Sequence, residues 1–98
     1  MYYIRKSIMS FEQLKKKALL LGATDFRNSN TKGKRYDVKY DNKWIPFGSA
    51  TGKTFIDHKD KDKKIAWQAR HSKIKNKDGQ LVHKLKTSPS YWSWHILW

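Results

Sequence analysis

The sequence predicts a small α+β domain: an N-terminal helix, a β-hairpin, a central helix and a short aromatic C-terminal helix. Three observations predict it. A capping signal at Ser10 precedes apolar residues at helical spacing. Apolar and polar residues then alternate on either side of Asp41-Asn42, the pattern of two short strands and a turn. Finally, aromatic residues crowd the last ten positions at helical offsets behind Ser88-Pro89.

The first helix spans about residues 11–21. Ser10 is the N-cap, and Gln13, three residues on, completes a capping box. Phe11, Leu14, Ala18 and Leu21 recur on one side, and Gly22 is the C-terminal glycine. Residues 1–9 read as an N-terminal extension, and 10–98 as a single basic domain. Residues 23–34 are polar and predict a loop. Tyr36, Val38 and Tyr40 alternate with Asp37 and Lys39, and Lys43–Phe47 returns after the turn. Pro46 lacks a ladder donor, so this second strand lies at an edge or ends there.

A glycine-containing loop follows over 48–54. The central helix is expected from about Asp57 to Ser72, with Ile65, Ala66 and Ala69 inward and Trp67 beside them. Residues 73–87 are lysine-rich and contain an Asp78-Gly79 turn before Leu81-Val82. In the last helix Tyr91, Trp92, His95, Ile96 and Trp98 fall at helical offsets. There is no internal repeat.

A chain of 98 residues suffices for one modest core. Only 38% of residues are hydrophobic, and five Trp, five Tyr and four Phe supply much of that fraction. The expected core is therefore thin and aromatic. Cysteine is absent, which excludes disulfides and thiolate metal sites. No window approaches the roughly 20 apolar residues of a membrane span, and the basic start lacks the continuous apolar stretch of a secretory signal. The expectation is a protein of the cytosol or nucleus, or of a particle assembled there.

Charge is the strongest signal. Twenty-two Lys and Arg against eight Asp and Glu give a formal charge of +14, shared evenly between the two halves of the chain. A compact body so charged attracts polyanions: nucleic acid, an acidic protein face or an anionic membrane surface. Lys greatly outnumbers Arg, which suits diffuse phosphate attraction better than bidentate base reading. Candidate contacts are Lys15, Lys16 and Lys17 on the first helix, Lys34 and Arg35 on the hairpin, and Lys53 in the loop. Lys59, Lys63, Lys64 and Arg70 extend the set over the central helix, and Lys73, Lys75 and Lys77 over the segment after it. No cofactor and no small-molecule substrate is expected.

Gly48-Ser-Ala-Thr-Gly-Lys-Thr54 resembles a phosphate-binding P-loop. The spacing argues against it, because only three residues separate Gly48 from Gly52 and Phe47 occupies the first glycine's place. Gly52, Lys53 and Thr54 could still grip one phosphate. His58, His71, His83 and His95 share no local metal-binding motif, although Asp57-His58 and Arg70-His71 could meet across a helix as in a nuclease. Capping or hydrogen-bonded core histidines are the expectation. The C-terminal aromatics are expected in the core, with Trp94 and Trp98 the candidates for an exposed contact.

A longer pattern runs through Arg35-Tyr36-Asp37-Val38, Ile45-Pro46-Phe47-Gly48, Asp57-His58-Lys59-Asp60, Ala69-Arg70-His71 and Ser88–Trp98. Over Lys34–Trp98 it resembles an uncharacterised family of small basic proteins encoded by large DNA viruses of eukaryotes. Relatives tend to carry an aromatic residue in the loop over Ser49–Thr54, where this chain has none. The resemblance implies a viral setting and no enzymatic activity. The expected function is thus a non-enzymatic, virion-associated structural protein that binds viral DNA or an acidic capsid-protein face. It would reside in the virion, and in host cytoplasm or nucleus during assembly. The alternatives are a small metal-dependent nuclease using His58, His71 and nearby Asp, and a non-specific nucleic-acid-binding protein of the host cell.

Overall fold

The computed structural model describes residues 10–98, and the extension read over 1–9 lies outside them. Helix α1 runs Phe11–Leu20 under the expected capping box. The Gln13 amide donates to Ser10 Oγ (3.2 Å), and the Ser10 amide donates to Gln13 Oε1 (2.8 Å). Gly22 follows the C-cap at φ 110°, a conformation open to glycine at little strain. Leu14 and Ala18 are the buried residues of this helix.

The next element departs from the expected loop. Asp25–Asn28 forms strand β1, antiparallel to β2 (Lys34–Tyr40), with Phe26 opposite Val38. Only Phe26 is apolar in that strand, so its sequence shows no alternation. Pairing with β2 and burial of one ring suffice to place it. Strand β3 (Lys43–Ser49) returns from Asp41-Asn42, which adopt φ 52° and 65°, the two positive values of a tight hairpin turn. The order β1-β2-β3 leaves β3 at an edge, where Pro46 is accommodated and the strand continues three residues past it.

One sheet face is apolar. Phe26, Val38, Ile45 and Phe47 meet Leu14 and Ala18 of α1 and Trp92, Ile96 and Leu97 from the C-terminus. The opposite face is polar and centred on Asp37, which is 2% exposed. Ser29 Oγ (2.6 Å), Arg27 Nε (3.0 Å) and the Asn30 amide (3.4 Å) donate to its carboxylate. Arg27 also lies 3.8 Å over the Trp44 ring.

The single central helix expected over 57–72 is two helices, α2 (Phe55–His58) and α3 (Lys61–His71). Lys59 breaks them apart at φ 57°, and Asp60 caps α3 by accepting from the Asp62 and Lys63 amides. The inner face also differs. Lys64, Trp67, Gln68 and His71 are half-buried, whereas Ala66 and Ala69 are exposed and Ile65 is 64% exposed. Positions 64, 67, 68 and 71 share one helical stripe, and the aromatic pair on it outweighs the aliphatic residues elsewhere.

The Asp78-Gly79 turn is present, with Gly79 at φ 81° and Lys75 bridging Leu81. Helix α4 (Pro89–Trp92) starts where Ser88 Oγ accepts from the Ser90 amide. It then widens into a π-helical turn over Ser93–Leu97. This winding bonds residues five apart, so Tyr91 and Ile96 fall on the core side together, as do Trp92 and Leu97. The α-helical periodicity expected there left Leu97 outside the apolar stripe; the wider turn brings it in. The Trp92 indole is fully buried, and its Nε1 donates to the Lys86 carbonyl at 2.7 Å.

Truncating Trp92 removes both that ring and its hydrogen bond. Trp92→Ala should lose about 3–5 kcal/mol of stability, read by denaturant or thermal unfolding. Unfolding at the wild-type midpoint would show that the C-terminal segment is not part of the core.

Candidate nucleic-acid interface

The loop over 50–54 is anchored at both ends. At its start, Gly48 adopts φ 79°, and a Cβ there would lie 2.8 Å from Leu97 Cδ1. Only glycine lets the β3 end and the π turn approach so closely. At its end, the Thr54 amide donates to Asp57 Oδ2 (2.7 Å), and Arg35 holds the same carboxylate through two bonds of 2.8 Å. The Arg35 guanidinium holds the Asp57 carboxyl far below the usual carboxylate range, with the Thr54 amide and hydroxyl assisting against burial. Asp57 in turn raises the Arg35 pKa.

The resemblance to a P-loop fails in the backbone as well as in the spacing. A phosphate cradle presents successive free N–H groups. Here the Thr51 and Gly52 amides donate to Ser49 Oγ (3.3 and 3.0 Å), the Ala50 amide to the Gly33 carbonyl, and the Thr54 amide to Asp57. These four donors are spent.

The loop does face something else. Between it, α3 and the C-terminal turn lies a groove of about 420 Å³, lined by Gly48, Ser49, Gly52, Lys53, Thr54, Trp67, Arg70, His71, Ser93, Leu97 and Trp98. A second hollow of about 270 Å³ adjoins the loop beside Arg35 and Asp57, and Lys53 lines both. Aromatic rings form the groove's wall. Trp67 and Trp98 stack 4.9 Å apart at 9°, and His71 stacks on Trp67 at 3.9 Å. Trp94 lies 5.7 Å from Trp67 and stacks on His83 at 4.3 Å.

Every histidine rests against an aromatic ring: His58 on Trp98, His71 on Trp67, His83 on Trp94 and His95 on Tyr91. His58 and His71 are separated by the Trp67 and Trp98 rings. Among the described residues, no three His, Asp or Glu side chains converge as metal ligands. His58 Nδ1 accepts from the Asp60 amide at 2.9 Å, while its Nε2 is buried without a partner among the described residues. Burial, followed by Arg70 and His83, pushes the His71 pKa down. Burial, followed by Lys17, His83 and Lys86, does the same to His95.

The candidate cations fall into four groups. Lys53 and Arg70 are exposed at the groove. Four others have partners within the protein: Arg35 pairs with Asp57, Lys15 approaches Asp25 at 3.6 Å, and Lys59 and Lys64 sit over the Phe55 ring. Burial lowers the Lys17 pKa, with Lys64 and Lys59 adding repulsion. Lys16, Lys34, Lys63, Lys73, Lys75 and Lys77 are simply exposed. Trp94 and Trp98 are half-buried within the aromatic cluster. Trp67 was not expected to make a contact, and His71 entered only the nuclease alternative. Their signal was the ring pair at i, i+4 flanking Arg70.

Residues 24–71 match a family of unknown function (DUF5754). The match runs from just before β1 through α3, covering the sheet, the loop and one wall of the groove. It stops short of the aromatic C-terminus. No curated protein and no solved structure matches the chain.

Two outcomes test this geometry. Asp37 and Asp57 titrate below their unfolded values, so their stabilisation is complete above about pH 4 and is lost as pH falls further. His71 and His95 are also depressed, so the unfolded chain takes up their protons first, from about pH 6.5 downward. Stability should therefore fall in two stages on acidification, and Asp57→Asn should flatten the lower one; equal lower stages in both proteins would remove Asp57 from its anchoring role. Separately, ATP with magnesium should produce no magnesium-dependent rise in melting temperature. A rise abolished by Lys53→Ala would restore the nucleotide cradle.

Proposed function

We propose that the protein is a non-enzymatic nucleic-acid-binding protein. In the viral setting that the resemblance over Lys34–Trp98 implies, it is a basic virion-associated component that holds or condenses viral DNA. The observation that carries this reading is the groove, where the Trp67, His71 and Trp98 rings are flanked by Lys53 and Arg70. An acidic protein face would meet the cations but brings no bases to stack on the rings. Nucleic acid uses both, since phosphates neutralise lysine and bases stack on aromatic rings.

The formal charge of +14 supports the same partner over a wider area. Exposed Lys16, Lys34, Lys63, Lys73, Lys75 and Lys77 present point charges without the planar fork that reads a guanine edge. Affinity without sequence preference follows. The virion, or host cytoplasm and nucleus during assembly, is the proposed location.

Binding to duplex DNA should weaken steeply with salt and hardly change with sequence. Each phosphate neutralised contributes about 0.9 to the slope of log K against log salt. Lys53→Ala should reduce that slope by about 1 and leave unfolding unchanged, measured by anisotropy titrations at several salt concentrations. Equal retention at low and high salt would remove the electrostatic basis. Binding to an acidic protein with no binding to DNA would instead favour the capsid-face reading.

A further inference from the structure

We propose that the groove between the 50–54 loop and α3 takes an unpaired nucleotide, its base on an outer ring of the His71–Trp67–Trp98 stack and its phosphate between Lys53 and Arg70. This rests on the nucleic-acid reading and goes beyond it, because diffuse charge alone does not distinguish paired from unpaired bases.

Three features point to this occupant. The volume, about 420 Å³, lies within the range of about 300–1,000 Å³ in which small-molecule sites occur. None of the lining residues is acidic, and among the described residues neither Lys53 nor Arg70 pairs with a carboxylate. An anion entering there meets attraction from both sides. The third feature is α3 itself. This helix buries no residue completely, and its one large ring, Trp67, is half-buried in the stack with His71 and Trp98. With His71 on one face of Trp67 and Trp98 on the other, the faces left for a base are the outer ones of His71 and Trp98, and both rings line the groove.

The spent amides of the loop define the manner of binding. With the Thr51, Gly52 and Thr54 amides already bonded, a phosphate is held by side chains and not by a backbone cradle. Lysine and arginine side chains tolerate small shifts in phosphate position. Every base presents a π-face, so stacking is equally tolerant of sequence. A duplex cannot use this site without unstacking, because its base faces already cover each other. The groove therefore selects single strands, ends or unpaired bases over intact duplex.

The test compares an oligothymidylate with one internal 2-aminopurine, its fully paired duplex and heparin, each titrated into the protein at moderate salt. The single strand should bind about tenfold or more tightly than the duplex, with quenching of 2-aminopurine as it stacks. Trp67→Leu should abolish the preference and the quenching while retaining salt-dependent duplex and heparin binding; Trp67→Phe should restore part of both. Melting curves check that Trp67→Leu stays folded. If it does not, Lys53→Ala with Arg70→Ala should lose most of the single-strand preference in a folded protein. Equal affinity for both DNA forms with no 2-aminopurine response overturns the groove assignment and leaves nucleic-acid binding through the charge of +14 standing. Failure of every polyanion to bind overturns that function, and the groove assignment with it.

Discussion

The sheet has one apolar face and the chain has little with which to cover it. That constraint organises the rest of the molecule. Helix α1 contributes Leu14 and Ala18, two modest side chains. Ala23, Ile56 and Phe11 add to it, and further cover comes from the other end of the sequence, where Tyr91, Trp92, Ile96 and Leu97 are all buried. Regular α-helical winding would rotate residues five apart well away from each other. The π turn over Ser93–Leu97 instead superposes them, so four large residues of a short segment seat on one face. Gly48 makes the last contact by leaving room for Leu97. Trp98, immediately beyond Leu97, packs against the edge of the core and stacks on Trp67 of α3. The groove is a consequence of how the core is closed.

The scarce carboxylates are spent on architecture. Asp37 secures the Arg27–Ser29 corner, Asp57 joins Arg35 to the start of α2, and Asp60 caps α3. Asp25 adds a contact from β1 to Lys15. Two of the arginines thus serve the fold, and Arg70 is left at the groove. Burial of Asp37 raises its pKa on its own account. Bonds from Ser29, Arg27 and Asn30 more than offset this, which is the usual condition for keeping a charge inside. The net charge of +14 is therefore mostly a lysine surface whose potential partners are external.

Local chemistry was legible in the sequence; choices made by tertiary packing were not. The Ser10/Gln13 capping box, the Asp41-Asn42 turn, the edge position of Pro46 and the Asp78-Gly79 turn depend on side chains within a few residues, and each stands as expected. Strand β1 was hidden because Asp25, Arg27 and Asn28 are polar, and Phe26 alone carries its burial. The split at Lys59 was signalled only by Asp60 as a cap, against a helical pattern running across it. In α3 the apolar residues Ile65, Ala66 and Ala69 suggested the wrong face, since the helix packs by its rings. Of the groove, the loop lysine and Arg70 were visible as charges. Trp67 was not, and His71 was visible only as a nuclease candidate, because their place in the stack depends on Trp98 arriving from 27 or more positions away.

The histidines connect these themes. Each lies on an aromatic ring, and for His71 and His95 burial and neighbouring cations favour the neutral form. At neutral pH the permanent charges of the groove are thus Lys53 and Arg70, while His71 contributes a flat, uncharged ring that covers one face of Trp67. A bound phosphate would reverse the balance at His71, since a nearby anion favours the protonated imidazole that Arg70 and burial oppose. By linkage, whatever raises the His71 pKa on binding must also tighten binding as pH falls. The same protonation weakens the free fold. Acid conditions consequently press the unbound protein toward unfolding and the proposed complex toward association, and the imidazole on Trp67 is where the two effects meet.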